Sequence, residues 1–385
     1  MISRRGAGAP GKPLSAAAGV FDRTEFMIMI VYRFFMNPKP FFRALGFFLF
    51  LTGIAKCAEA QGIILREFIF ETAPFAQCHA STIAETRSGL VAAWFGGSRE
   101  GASDVGIWES RQQDGKWMAP FEIARGMKHR GKNYPCWNPV LFELKNGSLL
   151  LFYKVGPTPA KWSGWLSISI DDGKTWSDGK SLPGGILGPI KDKPVQLSDG
   201  TLLCPSSAES DGGRRIHFEL SKDLVTWTTS RPSESGTSID AIQPSILLLG
   251  GNKLLALGRS WNKRIVETAS NDSGETWGPI SLTDIPNPNS GIDAVTLADG
   301  RQLLVYNHTD HGRSPLNVAI SADGYHWQAA LVLESGGGEY SYPAVIQTRD
   351  GMVHITYTWK RKRIRHVVLD PAKLVLKPIV DGKWP

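Results

Sequence analysis

The chain has 385 residues, 42% of them hydrophobic and 21% charged, with a formal net charge of +7. That is enough apolar material for a large buried core, and it excludes a disordered or fibrous chain. Residues 1–60 carry eight Lys or Arg against three Asp or Glu, which leaves the rest near +2; no basic helix or aromatic-interleaved basic stripe marks a nucleic-acid binder.

Residues 1–35 show no motif and read as an extension ahead of a misassigned start. Met36 then opens a basic start with Lys39 and Arg43, an apolar run from Ala44 to Ala55, and a small-x-small site at Ala58, Glu59 and Ala60. This reads as a signal peptide over 36–60 with release near Gln61. The run is too short for a comfortable membrane span, and Lys56 before Cys57 argues against a lipoprotein. The expected product is periplasmic or extracellular and free of the membrane. It retains Cys78, Cys136 and Cys204, which allow one disulfide but read as buried thiols acting as small apolar residues.

Residues 61–385 read as a single repeat domain. Ile63 to Phe70 is a strand with no partner strands of its own, expected to complete the last repeat. Six Gly-centred turns then each feed an apolar run, at Gly89, Gly147, Gly200, Gly251, Gly300 and Gly351. Alternating with them are turns of the form SxDxGxTW, complete at Ser169 to Trp176 and Ser270 to Trp277, with degenerate relatives ending at Trp117, Trp227 and Trp327. The closing Trp recurs at steps of 59, 51, 50 and 50 residues. A period near fifty, about four strands per unit and no helical periodicity predict an all-β, six-bladed β-propeller; a two-sheet sandwich would not explain the period.

The innermost strands of a propeller share one axial funnel. Aligning the units on the residue before Pro, or its equivalent, gives His79, Asn138, Lys193, Gln243, Asp293 and Tyr342. All are polar beside strongly apolar strands, which points to a solvated pocket rather than core. His308, Asp310 and His311 lack a second convergent ligand pair, so no metal and no cofactor is expected. The basic run from Lys360 to His366 reads as a solvated blade edge from which Lys360 or Arg361 could reach the funnel.

The Trp turns resemble the Asp boxes (BNR repeats) of the sialidase, or neuraminidase, superfamily, and the order of motifs from Phe75 to Asp370 resembles its bacterial predicted-neuraminidase branch. The resemblance implies an exo-α-sialidase-type glycosidase acting on a terminal acidic sugar, with an arginine clamp on the sugar carboxylate, a Tyr nucleophile and an Asp acid/base. Guanidinium forks suit a carboxylate, and a neutral phenol meets less repulsion at that anionic centre than a second carboxylate would. By the resemblance, Arg259 in LLALGRS and Arg313 in GRSPLNVAIS fit two of the arginines, and Asp104 fits the acid/base. Tyr340 matches the family's Tyr-Ser dipeptide and Tyr342 the internal repeat, which favours Tyr342 slightly. Two positions depart from the family. PFAQCHAST carries Gln77, Cys78 and His79 where the first arginine belongs, and Gln243 stands where a Glu would polarise the Tyr. Arg99 and Glu100 could contribute from the first unit. The same residues would also suit a polysaccharide lyase on a uronate glycan, with His79 and a Tyr as acid/base pair, or a non-catalytic lectin using Trp162 or Trp165 as a sugar platform. On every reading the partner is an acidic glycan.

Overall fold

In a computed structural model, which describes residues 62–129, 131–210, 213–234 and 239–385, the chain folds as a six-bladed β-propeller. The expected extension and signal peptide lie outside the described residues. Among those described, no helix is long and apolar enough to cross a membrane.

The innermost strands of the six blades are Gln77–Thr86, Cys136–Glu143, Val195–Gln196, Ala241–Leu248, Asp293–Thr296 and Tyr340–Gln347. Each blade runs outward through antiparallel neighbours. The second strands are sandwiched between adjacent blades, which explains why they are apolar without alternation: Leu149–Val155 and Leu254–Ser260 are buried at every position. The outer strand Trp327–Glu334 alternates buried with more exposed residues. Full burial of each Leu or Phe in the sandwiched strands contributes about 1.5–3 kcal/mol. The Gly-centred turns fall between first and second strands, and Gly147 and Gly300 hold φ of 86° and 88°, a region that favours a residue without Cβ. As expected, the first strand, Ile63–Phe68, pairs with Arg363–Leu369 and completes the sixth blade.

The Trp turns are blade fasteners. In the two complete boxes Asp171 accepts bonds from the Thr175 amide and hydroxyl at 2.9 and 2.6 Å, and Asp272 does the same for Thr276 at 2.9 and 2.5 Å. Each Trp then reaches into the preceding blade: Trp176 Nε1 donates to Glu109 at 2.9 Å, and Trp277 stacks on Phe218 at 3.7 Å. Bonds from Thr175 hold Asp171 down to about 2 against an ordinary 3.8, and bonds from the Thr226 and Val225 amides hold Asp223 at about 2. A carboxyl depressed in the folded state contributes stability above its unfolded pKa and loses it as pH falls through the folded value. We therefore expect the thermal midpoint to hold down to about pH 4 and to fall as the pH drops toward 2. In a melt series the variant Asp171→Asn should show a shallower acid decline.

The three described cysteines are free and buried. His308 has both ring nitrogens occupied, Nδ1 by the Tyr306 hydroxyl at 2.5 Å and Nε2 by the Gly382 carbonyl at 2.9 Å. It anchors the C-terminal segment.

Candidate active site

The funnel mouth is shaped by a bulge repeated in four innermost strands. Pairing slips between His79 and Thr82, between Ile242 and Ser245, between Ser341 and Ala344, and opposite Phe152 and Lys154. The bulged residues sit at positive φ: Ala80 at 55°, Asn138 at 33°, Gln243 at 54° and Tyr342 at 53°. A bulge re-aims a side chain at a local cost in strain, and four in register at one end of a ring mark that end as the working face. The sequence register is corrected by one residue in the first blade, where Ala80 and not His79 holds the bulge position. It fails in the third and fifth blades, whose inner strands carry no such bulge. There Lys193 and Asp293 bind each other: Lys193 Nζ lies 3.0 and 3.1 Å from the two carboxylate oxygens, and Asp293 also accepts from the Ser245 hydroxyl and the Ala294 and Val345 amides. Both groups are committed to holding blades together, which removes them from the expected substrate-binding set.

Tyr342 is the centre of the cluster. The Arg259 and Arg313 guanidinium carbons lie 5.5 and 5.6 Å from its ring centre, Lys191 Nζ 6.0 Å, and the His79 ring 4.2 Å. These separations are within one sugar width. Tyr340, the alternative, belongs instead to the core between the fifth and sixth blades, with its hydroxyl 3.4 Å from the Gly337 carbonyl.

The sixth blade brings a further arginine beside the first. Arg361, in the hairpin after Val353–Trp359, donates from Nε to both oxygens of Glu339 at 3.0 Å, while Arg313 Nη1 donates to the same carboxylate at 2.6 Å. Arg361 also pairs with Glu100, and its carbonyl accepts from the Cys78 amide at 2.9 Å. Arg361, Arg99, Glu100 and His79 line a narrow crevice without room for a water-sized sphere. Burial raises the Glu339 carboxyl, but the hydrogen bond from Arg361 and the charges of Arg313 and Arg361 outweigh it and hold it ionised below its ordinary range. Glu339 thus locks two guanidiniums side by side. Arg259 is held by a bond from Nη1 to the Asn289 carbonyl at 3.1 Å, and its buried Nε has no partner in the protein.

Lys191, unremarked in the sequence, lies two residues before the expected Lys193. Its ammonium donates to Asp192, the Ile292 carbonyl and the Pro343 carbonyl at 2.7, 2.6 and 2.5 Å, which fixes it beneath Tyr342. Burial, and then the charges of Arg361, Arg313, Arg259 and Lys191, push the pKa of His79 well below the usual imidazole value, and its Nδ1 lies 2.9 Å from the Thr358 hydroxyl.

Gln243 is buried, and its Oε1 has no partner in the protein. Asn138 is buried at the bulge of the second blade. Asp104 lies to one side. It accepts from the Ser98 amide and hydroxyl at 2.9 Å each and lines a wider cavity of about 790 Å³, which shares Gly97 and Val105 with the Arg361 crevice. Trp162 is half-buried edge-on against Trp137, and Trp165 stacks on Tyr153.

A family model described as a BNR repeat-like domain matches residues 88–355. A curated relative, a sialidase of Bacteroides fragilis (strain YCH46), is 23% identical over 240 residues, 54% of this chain but 41% of that protein, so the match spans less than half the relative's length. Similar solved structures include a protein of unknown function from Dyadobacter fermentans, with a TM-score of 0.66 at 17% identity over 80% of this chain and 99% of that one. The intramolecular trans-sialidase of Ruminococcus gnavus in complex with oseltamivir carboxylate gives 0.65 at 15% identity over 83% and 100%. The NanB sialidase of Streptococcus pneumoniae gives 0.66 at 13% identity over 80% and 71%. At these identities the structures share the fold.

Proposed function

We propose that this chain, which belongs to the BNR repeat-like family of the sialidase superfamily, is an exported exo-α-sialidase-type glycosidase that removes a terminal acidic sugar from a glycan. The observation that carries the reading is the guanidinium cluster at Tyr342: Arg259 and Arg313 within 5.6 Å of its ring, and Arg361 joined to Arg313 through Glu339. Four cations, counting Lys191, stand against the carboxylates of Glu339, Glu100 and Asp192, so the mouth favours an anion.

The sugar carboxylate sits among the three guanidiniums, which places its anomeric carbon over Tyr342. The phenol gives up its proton to solvent water and its oxygen attacks that carbon as the glycosidic bond breaks, while Asp104 gives a proton to the departing glycosidic oxygen. Asp104 then draws a proton from the water that cleaves the glycosyl-tyrosine bond, and the departing phenolate takes a proton back from solvent. Arg259, Arg313 and Lys191 stabilise the phenolate formed when the phenol proton passes to solvent, which lessens the need for the carboxylate that Gln243 replaces. Gln243 supplies a hydrogen-bond acceptor and no proton transfer.

The reading is tested with an aryl α-sialoside. The protein is expected to release the phenol, and Arg361→Ala to lower kcat/KM roughly 10- to 100-fold, the worth of one charge-assisted pair. No release by the wild-type protein would overturn the assignment.

A further inference from the structure

The third blade begins on a shortened inner strand. The other five inner strands run for four to ten residues, whereas Val195–Gln196 has two, whose ladder reaches only Leu202 and Leu203. Lys191, four residues upstream, is therefore placed by no ladder. Residues 182–194, which carry it from the edge of the second blade to the propeller centre, form no strand. Two glycines let this segment lie close on the second blade. A Cβ on Gly164 would meet the Leu187 carbonyl oxygen at 2.6 Å, and one on Gly188, at φ of 69°, would meet the Phe152 ring at 2.9 Å.

Two fully buried side chains hold the segment instead. Glu219, in the strand Gly213–Ser221, accepts from the Leu187 amide at 3.0 and 3.2 Å and from the Gly188 amide at 2.6 Å. Lys154 Nζ donates to the next carbonyl, that of Pro189, at 2.7 Å. The Ile190 amide then donates to the Pro205 carbonyl at 3.1 Å, and Lys191 follows with its ammonium 6.0 Å from the Tyr342 ring centre. Gly291 marks where the two side chains converge: a Cβ there would come within 3.0 Å of the Lys191 stem and 3.3 Å of the Tyr342 ring. A carboxylate can bind two successive amides at once and so fixes two peptide planes, which one hydroxyl cannot. Burying such a group is costly unless its lone pairs are used, and the Ser206 hydroxyl at 3.2 Å and His217 Nε2 at 2.8 Å occupy the rest.

We propose that Glu219 is a positioning residue for the candidate active site, with Lys154 in support: through the backbone of residues 187–190 it sets where Lys191 stands beneath Tyr342. Its effect on turnover rests on the glycosidase reading; its hold on the segment does not. The bonds of the Lys191 ammonium to Asp192 and to the Ile292 and Pro343 carbonyls fix the tip of that side chain, and the anchored backbone fixes its root. Loss of the anchor draws the ammonium away from the phenolate and leaves Arg259 and Arg313 in place, so turnover suffers while substrate binding does not.

The test compares the full chain with Glu219→Ala, Glu219→Gln and Lys154→Met, each first shown by its thermal melt to be folded. In hydrogen exchange read by mass spectrometry, residues 187–191 should exchange at least about tenfold faster in Glu219→Ala and about threefold faster in Glu219→Gln, which keeps one acceptor. With an aryl α-sialoside, kcat should fall about tenfold in Glu219→Ala while KM stays within about twofold, the same split as in Lys191→Met. The double variant Lys191→Met/Glu219→Ala should be no slower than Lys191→Met, because one interaction can be lost only once. A double variant slowed by the product of the two single effects would make Glu219 merely structural and overturn the proposal. An unchanged kcat in a folded Glu219→Ala, or exchange at 187–191 equal to that of the wild-type protein, would overturn it too; should the alanine variant fail to fold, Glu219→Gln and Lys154→Met carry the same comparisons. Faster exchange in the variants of a chain that never turns over the sialoside would sink the glycosidase reading and leave the anchor standing.

Discussion

Tyr342→Phe is expected to abolish release from an aryl α-sialoside, with kcat falling by at least about a thousandfold, while Tyr340→Phe stays within about threefold of the wild-type protein. The two residues are two positions apart in one strand and would share a face in a regular strand. The bulge at Tyr342, with φ of 53°, turns its ring into the arginine cluster and leaves Tyr340 in the core between blades. Removing the Tyr342 hydroxyl deletes the attacking oxygen and leaves the clamp intact. Affinity for a carboxylate-bearing substrate analogue, measured by calorimetry, should therefore change little as turnover vanishes. That split separates a nucleophile from a residue that only shapes the pocket. Equal activity in the wild-type protein and Tyr342→Phe would dismiss the nucleophile.

Asp293→Ala should be the most destabilising single change in the propeller centre, costing about 3–5 kcal/mol in equilibrium urea unfolding. Asp293 binds Lys193 from the third blade, Ser245 from the fourth, its own neighbour Ala294 in the fifth and the Val345 amide in the sixth. Truncation leaves the Lys193 ammonium with the Ala294 carbonyl but no counter-charge and the Val345 amide unpaired, while Ser245 and the Ala294 amide keep only their bonds to each other and to the Ala294 carbonyl. Because Lys193 is partly exposed at 18%, water recovers some of its charge, which places the loss toward the lower end of that range. Asp293→Asn keeps an acceptor and should lose less. A loss under about 1 kcal/mol for the alanine variant would mean that the blades are held by their apolar interfaces alone.

The blade count was legible because it is written locally: a Gly turn in each of six units, and a Trp turn in the first five, dictate hairpins without reference to distant residues. The ring-closing strand was legible for a similar reason, as a strand with no hairpin partner of its own. Arg259 and Arg313 were singled out by the family resemblance, and Tyr342 by its repeat-defined place before a Pro in the inner strand of its blade. Arg361 was harder to assign. It belongs by sequence to a basic run that resembles a solvated edge, and only the meeting of the sixth blade with the first brings it beside His79. Lys191 was missed because the inner strand of its blade is reduced to Val195–Gln196 and lacks the bulge that sets the register elsewhere. His79 shows the same limit, since a one-residue slip in register changes which side chain a bulge presents.

The pairing of Ile63 with Leu369 joins residues from opposite ends of the described chain. The contacts of His79 with Tyr342 and Thr358, and of Cys78 with Arg361, cross the same seam. The arginine cluster is therefore assembled late. A growing chain can fold its early blades one by one, yet it has no working mouth until the last blade is complete and its first strand is captured. Loss of Ile63–Phe68 or of Arg363–Leu369 would cost the seam, and with it the arginine cluster, before it cost the other blades, so such truncated molecules would still resemble the folded protein in their strand content.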